Sequence, residues 1–424
     1  MTRKAVLATF GTLGDLHPFI AMALAMRDRG FEPVIACAAE YRDKVAAAGI
    51  AFFPLRPSFA QIEKDLGMDR PALTRHAIAR SDFLFRKIVL PYVRVAYEDM
   101  MEASADADLI LTSSLAFGAR IAAEKRGIAW VAIVLQPMMF FSAYDPPVMP
   151  KAAWITPLLR RLGPRVTARI FSAAKALSNR VFDPVHRLRG EIGLPPTGDN
   201  PFFEGQFSSA GVIGLYSELL GPVQPDYPLP ASIVGFAAFD SEDGREQPLD
   251  AGLGAWLAAG GAPLVFTLGS LLVHSPGGFY RQSIAAARLL KKRALLLVGE
   301  DFLADFTDVR GNDVWVGAYA PHSKVFPLAA AVIHHGGIGT LAQGMRSGRP
   351  QLIVPFYADQ IDNAARAARL GIARVLPPSR YRAARAARAL ADLLRDAVVL
   401  ARSGEVRATV AAENGAIDAC RVLS

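Results

Sequence analysis

The sequence has few cysteines and no long apolar run. Only Cys37 and Cys420 occur in 424 residues, so neither a disulfide framework nor a thiolate metal site is available. We find no signal peptide, no apolar stretch long enough to cross a bilayer, and no basic amphipathic helix with a clear apolar face. We therefore expect a soluble, cytoplasmic protein without stable membrane insertion.

Motifs for several nucleotide-dependent activities are also missing. There is no G-x-x-x-x-G-K-[ST] segment, which removes P-loop nucleotide hydrolysis, and no D-x-D motif to hold a metal ion. The turn "GTLGDLH" has Gly11 and Gly14 but lacks the third glycine of the dinucleotide fingerprint, so NAD binding is poorly supported.

Charge is modest and spread along the chain. The formal net charge of +8 suits a small anionic ligand but is too diffuse to indicate nucleic acid. The densest basic run places Arg382, Arg385 and Arg388 at helical spacing, without interleaved aromatic residues. We interpret it as a solvent-exposed helix face.

Strands and helices alternate in two arrays of similar size. "KAVLATF", the turn, an amphipathic helix "PFIAMALAMRDRG" and "FEPVIACA" open the first array, and the second begins near residue 262. This alternation predicts two doubly wound α/β domains with parallel sheets that face each other across a cleft. A stretch at 221–252, rich in Pro, Gly and acidic residues, separates the two arrays. The domains are predicted at 1–235 and 255–400, with a linker at 236–254 and a C-terminal helix at 401–424 that packs back on the first domain.

A glycine-rich turn in the second array is the first candidate site. Gly336, Gly337 and Gly339 follow an apolar strand, and Thr340 opens a helix. Glycines allow close backbone approach, and the free N–H groups of a helix N-terminus bind anions. With His335 as a further donor, the turn suits a diphosphate. The alternative is a tight strand-to-helix turn whose glycines only permit packing.

Polar residues follow the next strand. Asp359 and Gln360 lie just past "QLIVPF", with Asn363 beyond them. A carboxylate beside a carboxamide supplies acceptors and donors for sugar hydroxyls. Diphosphate and sugar contacts on consecutive loops describe a nucleotide-sugar site.

These motifs carry a resemblance to a known family. The stretch 316–363 resembles the signature of the family 1 nucleotide-sugar glycosyltransferases, which have the GT-B fold of two Rossmann-like domains. "LQPMMFFSAYDPPVMPK", "GFAAFD" and "PLVFTLGS" are similar to further segments of the family. The subgroup it most resembles is the bacterial rhamnosyltransferases of rhamnolipid synthesis, together with sterol, antibiotic and flavonoid glycosyltransferases.

The resemblance implies a donor site. Tyr319 would stack on the base, the backbone of Ala320 would reach the base edge, and Ser270 would contact the phosphates. Plant members carry a Glu that binds both ribose hydroxyls where this chain has Gln343, which leaves a dTDP-sugar open beside a UDP-sugar. The full set of donor residues is Gly14, Ser270, Tyr319, Ala320, His335, Gly336, Gly337, Gly339, Thr340, Gln343, Asp359 and Gln360.

The catalytic base is expected in the loop after the first strand. Asp15 matches the acidic residue of "G-D-x-x-P" in bacterial antibiotic glycosyltransferases, where plant members have a His. Burial would raise its basicity. The alternative role for Asp15 is an N-cap of the helix that starts near Pro18. His17 is a second candidate, either for contact with the acceptor or for a structural role.

The acceptor is expected to be hydrophobic. Adaptable Met and flat Phe side chains in the two insertions of the first domain suit a lipid or polyphenol, although ordinary core packing is the alternative for each. These residues are Phe83, Phe85, Met138, Met139, Phe140 and Phe141.

The sequence thus predicts an inverting, metal-independent glycosyltransferase. It would move a hexose or deoxyhexose, such as rhamnose or glucose, from a dTDP- or UDP-sugar to a hydroxyl of a hydrophobic acceptor, without a cofactor. The alternatives are a nucleotide-sugar epimerase and a non-catalytic nucleotide-sugar-binding protein.

Overall fold

The computed structural model describes residues 3–80, 82–150, 152–241 and 248–423. It contains two parallel sheets with helices packed on both faces, as the two arrays predict. Of the predicted linker, residues 242–247 lie outside the described residues.

The amino-terminal sheet has seven strands in the order β3-β2-β1-β4-β5-β6-β7, all parallel. Its central strands are runs of apolar residues buried on both faces, as a covered parallel sheet requires. The strands are β1 Arg3–Ala8, β2 Phe31–Cys37, β3 Ala51–Pro54, β4 Leu109–Ser113, β5 Ala129–Val134, β6 Val212–Gly214 and β7 Ala231–Ile233.

The carboxyl-terminal sheet has six parallel strands in the order β10-β9-β8-β11-β12-β13. The strands are β8 Leu264–Thr267, β9 Ala294–Leu297, β10 Val314–Gly317, β11 Ala331–His334, β12 Gln351–Ile353 and β13 Ala373–Val375.

Eighteen α-helices connect and cover the strands within the described residues. They are α1 Leu13–Arg27, α2 Arg42–Ala47, α3 Phe59–Leu66, α4 Arg70–Ala79, α5 Val93–Ala103, α6 Phe117–Arg126, α7 Thr156–Leu162, α8 Pro164–Ser178, α9 Asp183–Glu191, α10 Ala251–Ala258, α11 Gly269–Leu272, α12 Phe279–Leu289, α13 His322–Val325, α14 Ile338–Ser347, α15 Gln360–Leu370, α16 Ala383–Arg395, α17 Ala397–Ala412 and α18 Gly415–Val422.

The first helix differs from the prediction in its start and its pattern. It begins at Leu13 rather than near Pro18, because Thr12 and Asp15 form a capping box. It is also not amphipathic, since eight of its residues from Leu16 to Met26 are buried. The sheet covers one side, and α18 packs against α1 on another.

The C-terminal end of the described chain lies on the amino-terminal domain. Ala416, Ala419 and Cys420 of α18 belong to the same hydrophobic cluster as β1, β2 and α1. Just before α18, the carboxylate of Glu413 accepts hydrogen bonds from Ser217 Oγ at 2.5 Å and from the backbone N–H of Phe236 at 3.2 Å.

One hydrophobic cluster contains residues of both domains. Met138 and Tyr216 of the amino-terminal domain share it with Ile338, Leu341 and Met345 of α14. The two domains therefore meet through a continuous apolar contact as well as across the cleft.

Candidate functional site

The order of the strands in each sheet shows where the candidate site lies. In each sheet the order reverses between two neighbouring strands, β1 and β4 in the first sheet and β8 and β11 in the second. Parallel α/β sheets bind ligands outside the carboxyl ends of their strands at such a point. The segments that follow β1, β8 and β11 there hold Asp15, Ser270 and the glycine-rich turn.

The first turns of α1 and α14 meet in the cleft. A Cβ placed on Gly339 would lie 3.9 Å from the Cα of Gly14. The predicted anion site at the start of α14 is therefore directly opposite the first turn of α1, which carries Asp15. A larger residue at position 339 would extend into the space between the two helix N-termini.

The glycine-rich turn is shaped by its surroundings. Gly336 has a φ of +89°, and a Cβ there would come within 2.8 Å of Ile353 Cγ2. Gly337 caps α14 without a side-chain hydrogen bond, so the first N–H groups of the helix are left for a ligand. Thr340, in the first turn, is buried.

The two adjacent histidines have different roles. His334 is fully buried, its Nε2 lies 2.8 Å from Gln351 Oε1, and its Nδ1 accepts the backbone N–H of Gly336 at 3.0 Å. Burial lowers the pKa of His334 to about 4, so the ring is neutral and holds the turn in place. This residue was not among the predicted site residues.

His335 lies against the loop that carries Ser270. A Cβ on Gly269 would fall 2.5 Å from His335 Cε1, so only glycine allows this approach. Burial lowers the pKa of His335 to about 3, and its Nδ1 has no hydrogen-bond partner within the described part of the chain. A neutral imidazole with an unused nitrogen at a helix N-terminus suits a ligand oxygen.

Asp359 is positioned by Asn363. The Nδ2 of Asn363 donates to Asp359 Oδ2 at 2.8 Å and to the carbonyl of Gly336 at 3.0 Å. This side chain ties the carboxylate to the glycine-rich turn. Ala358, just before, has a φ of +50°, a strained backbone that is typical of functional loops.

Gln360, predicted to bind the sugar, uses its side-chain oxygen to hold the backbone of its own loop. It is buried, and its Oε1 accepts the backbone N–H groups of Phe356 at 2.9 Å and Tyr357 at 3.4 Å. Only its amide N–H groups remain for a sugar hydroxyl.

Asp15 has two properties that matter chemically. Its Oδ2 accepts the backbone N–H of Thr12 at 2.7 Å, which fixes the carboxylate. Burial raises its pKa to about 6, against the lowering effect of that hydrogen bond. Burial also raises the pKa of Asp359 to about 7, and the charge of Asp15 adds to the shift. The two carboxyl groups therefore interact, as titrating neighbours do.

His17 points away from this pair. Residues two apart on a helix are about 200° apart around its axis, so Asp15 and His17 cannot face the same side. The His17 ring lies 5.4 Å from Phe239 of the linker. Burial, followed by the charge of Lys44, lowers its pKa to about 3. This environment favours a structural role over catalysis.

Tyr319 is held by the linker, through a residue that the sequence analysis did not select. Its hydroxyl donates to Asp240 Oδ1 at 3.0 Å, and Asp240 Oδ2 accepts the backbone N–H of Ser323 at 2.5 Å. Burial raises the pKa of Asp240, but His322 and these hydrogen bonds outweigh it and leave the pKa lowered. Nothing in the segment "GFAAFD" indicates that its Asp contacts Tyr319, the residue predicted to stack on the nucleotide base.

Gln343 faces protein rather than open solvent. Its Oε1 is buried and has no hydrogen-bond partner among the described residues. It lies one helical turn after Gly339, the residue next to Gly14, and so on the same side of α14. An unsatisfied carbonyl oxygen in this position is suited to a ligand hydroxyl or N–H group.

Comparison with known proteins identifies the family. Residues 294–420 match the C-terminal domain of the erythromycin biosynthesis protein CIII-like family. The chain is 30% identical over 377 residues to glycosyltransferase GtfE of Amycolatopsis orientalis, across 87% of this chain and 85% of that protein. The chain belongs to the family 1 glycosyltransferases.

Further similarities cover the whole glycosyltransferase. It is 28% identical over 430 residues to O-mycaminosyltylonolide 6-deoxyallosyltransferase of Streptomyces fradiae, across 99% of this chain and 96% of that one. Its fold matches spinosyn rhamnosyltransferase SpnG, solved with thymidine diphosphate, with a TM-score of 0.69, 17% identity and complete coverage of both chains. The GT-B fold is confirmed, and a transferase is supported over an epimerase or an idle binding protein.

The predicted acceptor residues of this glycosyltransferase do not form one surface. Phe83 is buried in a cluster with Ile62, Leu73 and Tyr92. Phe85 packs edge-on against Phe182 and Phe202, while Met138 and Met139 lie in the cluster that joins the domains. For these four residues core packing is the role that the structure shows, because each is covered by aromatic or aliphatic neighbours.

Phe140 and Phe141 line a cavity of about 490 Å³ between the loop after β5 and one face of α8. Phe140 also stacks on Tyr227 at 3.9 Å, whereas Phe141 has a positive φ of 49°, rare for an aromatic residue. The cavity wall includes Lys175, Glu204 and Asp226, so it is less apolar than predicted. Neither Asp15 nor any predicted donor residue lines it.

Proposed function

We propose that this glycosyltransferase inverts the configuration of the sugar that it transfers, and that it does so without a metal ion or cofactor. It moves a hexose or deoxyhexose from a dTDP- or UDP-sugar to a hydroxyl of a hydrophobic small molecule, in the cytoplasm. The observation that carries the proposal is the approach of the α1 and α14 N-termini, with Asp15 on one and the glycine-rich turn on the other.

The donor diphosphate would bind at the start of α14. The free N–H groups of the helix, the positive end of its dipole and His335 supply donors where negative charge develops on the leaving group. The close packing of Gly269 on His335 supports a contact of the adjacent Ser270 with the same phosphates. The sugar would then lie between this turn and Asp359.

Asp15 would remove the acceptor proton. It lies on the domain opposite the leaving group, so the acceptor oxygen would attack the anomeric carbon from the far side, which inverts its configuration. A carboxyl group with a pKa of about 6 is a stronger base than an ordinary Asp and is still ionised at neutral pH.

A thymidine nucleotide is the donor that we favour. Gln343 offers an amide where a carboxylate would bind both ribose hydroxyls, and the similar SpnG was solved with thymidine diphosphate. We therefore place a dTDP-deoxyhexose such as dTDP-rhamnose ahead of UDP-glucose. The names of the relatives favour a large natural-product acceptor.

The test is donor turnover by wild type and Asp15→Asn. Each of dTDP-rhamnose and UDP-glucose would be offered with a macrolide aglycone, a sterol, a flavonol and a hydroxy-fatty-acid lipid, and product followed by mass spectrometry. Asn keeps the oxygen that accepts the Thr12 N–H, so the helix start is preserved. We expect kcat to fall about 100-fold or more, with the donor dissociation constant within about twofold of wild type by calorimetry.

Asp69→Asn is the matched control. Asp69 caps α4 by accepting the N–H of Ala72 at 2.7 Å, and is exposed. It should leave kcat unchanged. If Asp15→Asn keeps the wild-type rate, Asp15 is only a helix cap and the proposed mechanism is wrong. If neither donor reacts with any acceptor although the donor binds, the proposed substrates are wrong.

A further inference from the structure

The α7–α8 hairpin, residues 153–178 with the short 3₁₀ turn before α7 included, is unusually exposed for part of a folded domain. In α8, which has 15 residues, Thr167 is the only buried one. The same side of the helix, one and two turns further on, lines the 490 Å³ cavity through Phe171 and Lys175. The remaining surface of the hairpin faces outward.

This surface carries large apolar side chains at helical spacing. Trp154 and Leu177 are 73% and 83% exposed, and Leu158, Leu162, Val166 and Ile170 are exposed as well. In α8, Val166, Ile170 and Leu177 lie four and seven residues apart, so they form one stripe along the helix. Six of the fifteen large hydrophobic residues exposed in the described chain fall between 154 and 177. Such a concentration marks a binding surface.

The charge of the hairpin has a single sign. The segment 146–182 contains seven Lys and Arg residues and no Asp or Glu. Arg160 pairs with Asp145 and Lys175 with Glu204. Arg161, Arg165 and Arg169 are exposed and have no ion-pair partner among the described residues. On α8, Arg165 and Arg169 border one side of the apolar stripe.

We propose that the α7–α8 hairpin docks the protein peripherally on an anionic lipid surface. An exposed Trp and aliphatic stripe beside unpaired arginines is the pattern of a helix that lies in the membrane interface. Positive charge without compensating acidic residues complements anionic headgroups. No helix in the described residues is long and apolar enough to cross a membrane, and the proposal requires none.

This face of α8 was not predicted from the sequence. The alternation of Arg and apolar residues in "PRVTARIFSAAKALS" is diluted by alanines, and the pattern does not show which side of the helix the fold covers. The structure supplies that fact, because α8 contacts the rest of the domain through the side that holds Thr167 and Phe171.

The test is sedimentation of the full chain with lipid vesicles. Phosphatidylcholine vesicles would be compared with vesicles containing phosphatidylglycerol, at 0.1 and 0.5 M NaCl. We expect binding to the anionic vesicles only, weakened by salt. The triple variant Arg161→Gln, Arg165→Gln, Arg169→Gln should lose affinity at least about tenfold, and Trp154→Ser with Leu177→Ser should also release the protein.

A matched triple variant separates the hairpin from net charge. Arg382→Gln, Arg385→Gln and Arg388→Gln remove the same charge from the exposed face of α16 and should bind vesicles as wild type does. Equal loss in both triple variants, or no preference of wild type for anionic vesicles, would overturn the proposal. So would a change in oligomeric state on hairpin mutation without vesicle binding, which would instead indicate a second copy. Transfer to a water-soluble acceptor should be unchanged in every variant, so this test stands apart from that of the proposed reaction.

Discussion

The surroundings of Asp15 make its carboxyl group a stronger base but lower the stability of the folded protein. Its carboxylate completes the capping box of α1, but burial makes the charged form unfavourable and raises the pKa to about 6. Burial in the same cleft raises the pKa of Asp359 to about 7. Two carboxyl groups that resist ionisation cost the folded state free energy at neutral pH.

The raised pKa of Asp15 predicts how the stability of the protein depends on pH. The pKa of Asp15 is raised from 3.8 to about 6 on folding, so the folded state binds more protons between these values and stability falls as pH rises through them. Asn at position 15 does not titrate. Asp15→Asn should therefore gain stability relative to wild type between about pH 4 and pH 7, by on the order of 1 kcal/mol after allowance for partial exposure.

The measurement is urea denaturation of both proteins at pH 4 and pH 7.5, with Asp69→Asn as the reference cap variant. A difference between Asp15→Asn and wild type that is the same at both pH values would show that Asp15 does not titrate abnormally.

Local backbone geometry was predictable where a turn requires it. The glycines of the turn follow from the strand-to-helix reversal, while the anion-binding role given to them and to His335 stays a prediction. Asp240, which holds Tyr319, was not predictable, because its partner is 79 residues away. The direction of His17 was likewise fixed only once α1 was known to start at Leu13.

At the scale of elements, α15 links the loop that holds Asp359 to the amino-terminal domain. Asp362 and Arg366 are almost fully buried and form an ion pair at 2.6 Å. Arg366 also binds Asp145 and donates to the carbonyl of Leu220, while Asp362 accepts the backbone N–H of Val148 at 2.8 Å. These contacts fix the loop after β5 on the helix that Asp359 caps.

Removing one partner of this buried pair should be costly. Asp362→Ala leaves the buried Arg366 with one carboxylate fewer, and we expect a loss of about 3–5 kcal/mol in the free energy of unfolding. Asp418→Ala is the control, since Asp418 pairs with Arg421 on the surface and should cost less than about 1 kcal/mol. Urea denaturation measures both, and similar losses would contradict the argument.

Long central elements were predictable from sequence, and short or doubly covered ones were not. The strands around the glycine-rich turn follow from their apolar runs. β6, β7 and β13 have three residues each, as β12 does, but no motif adjoins them to mark a strand end. The buried pattern of α1 depends on α18, which no local window contains.

For the whole molecule, the shared cluster between the domains predicts cooperative unfolding. Because Leu341 of α14 packs with Met138 and Tyr216 of the other domain, opening the cleft exposes apolar surface on both sides. We expect a single calorimetric transition whose van't Hoff and calorimetric enthalpies agree.

Leu341→Ala and Leu390→Ala test where this coupling lies. Both leucines are fully buried, but all the buried residues in the cluster of Leu390 belong to the carboxyl-terminal domain. Each substitution should cost about 2–5 kcal/mol, whereas only Leu341→Ala should broaden or split the transition. Two transitions in wild type would mean that the domains unfold independently.

The placement of α18 also has a consequence for synthesis of the protein. Ribosomes make the amino-terminal domain first, but part of the wall of its core is α18, which is made after the entire second domain. Until then the apolar side of α1 that α18 covers is open to water or to a chaperone. The first domain to emerge is therefore the last to be completed.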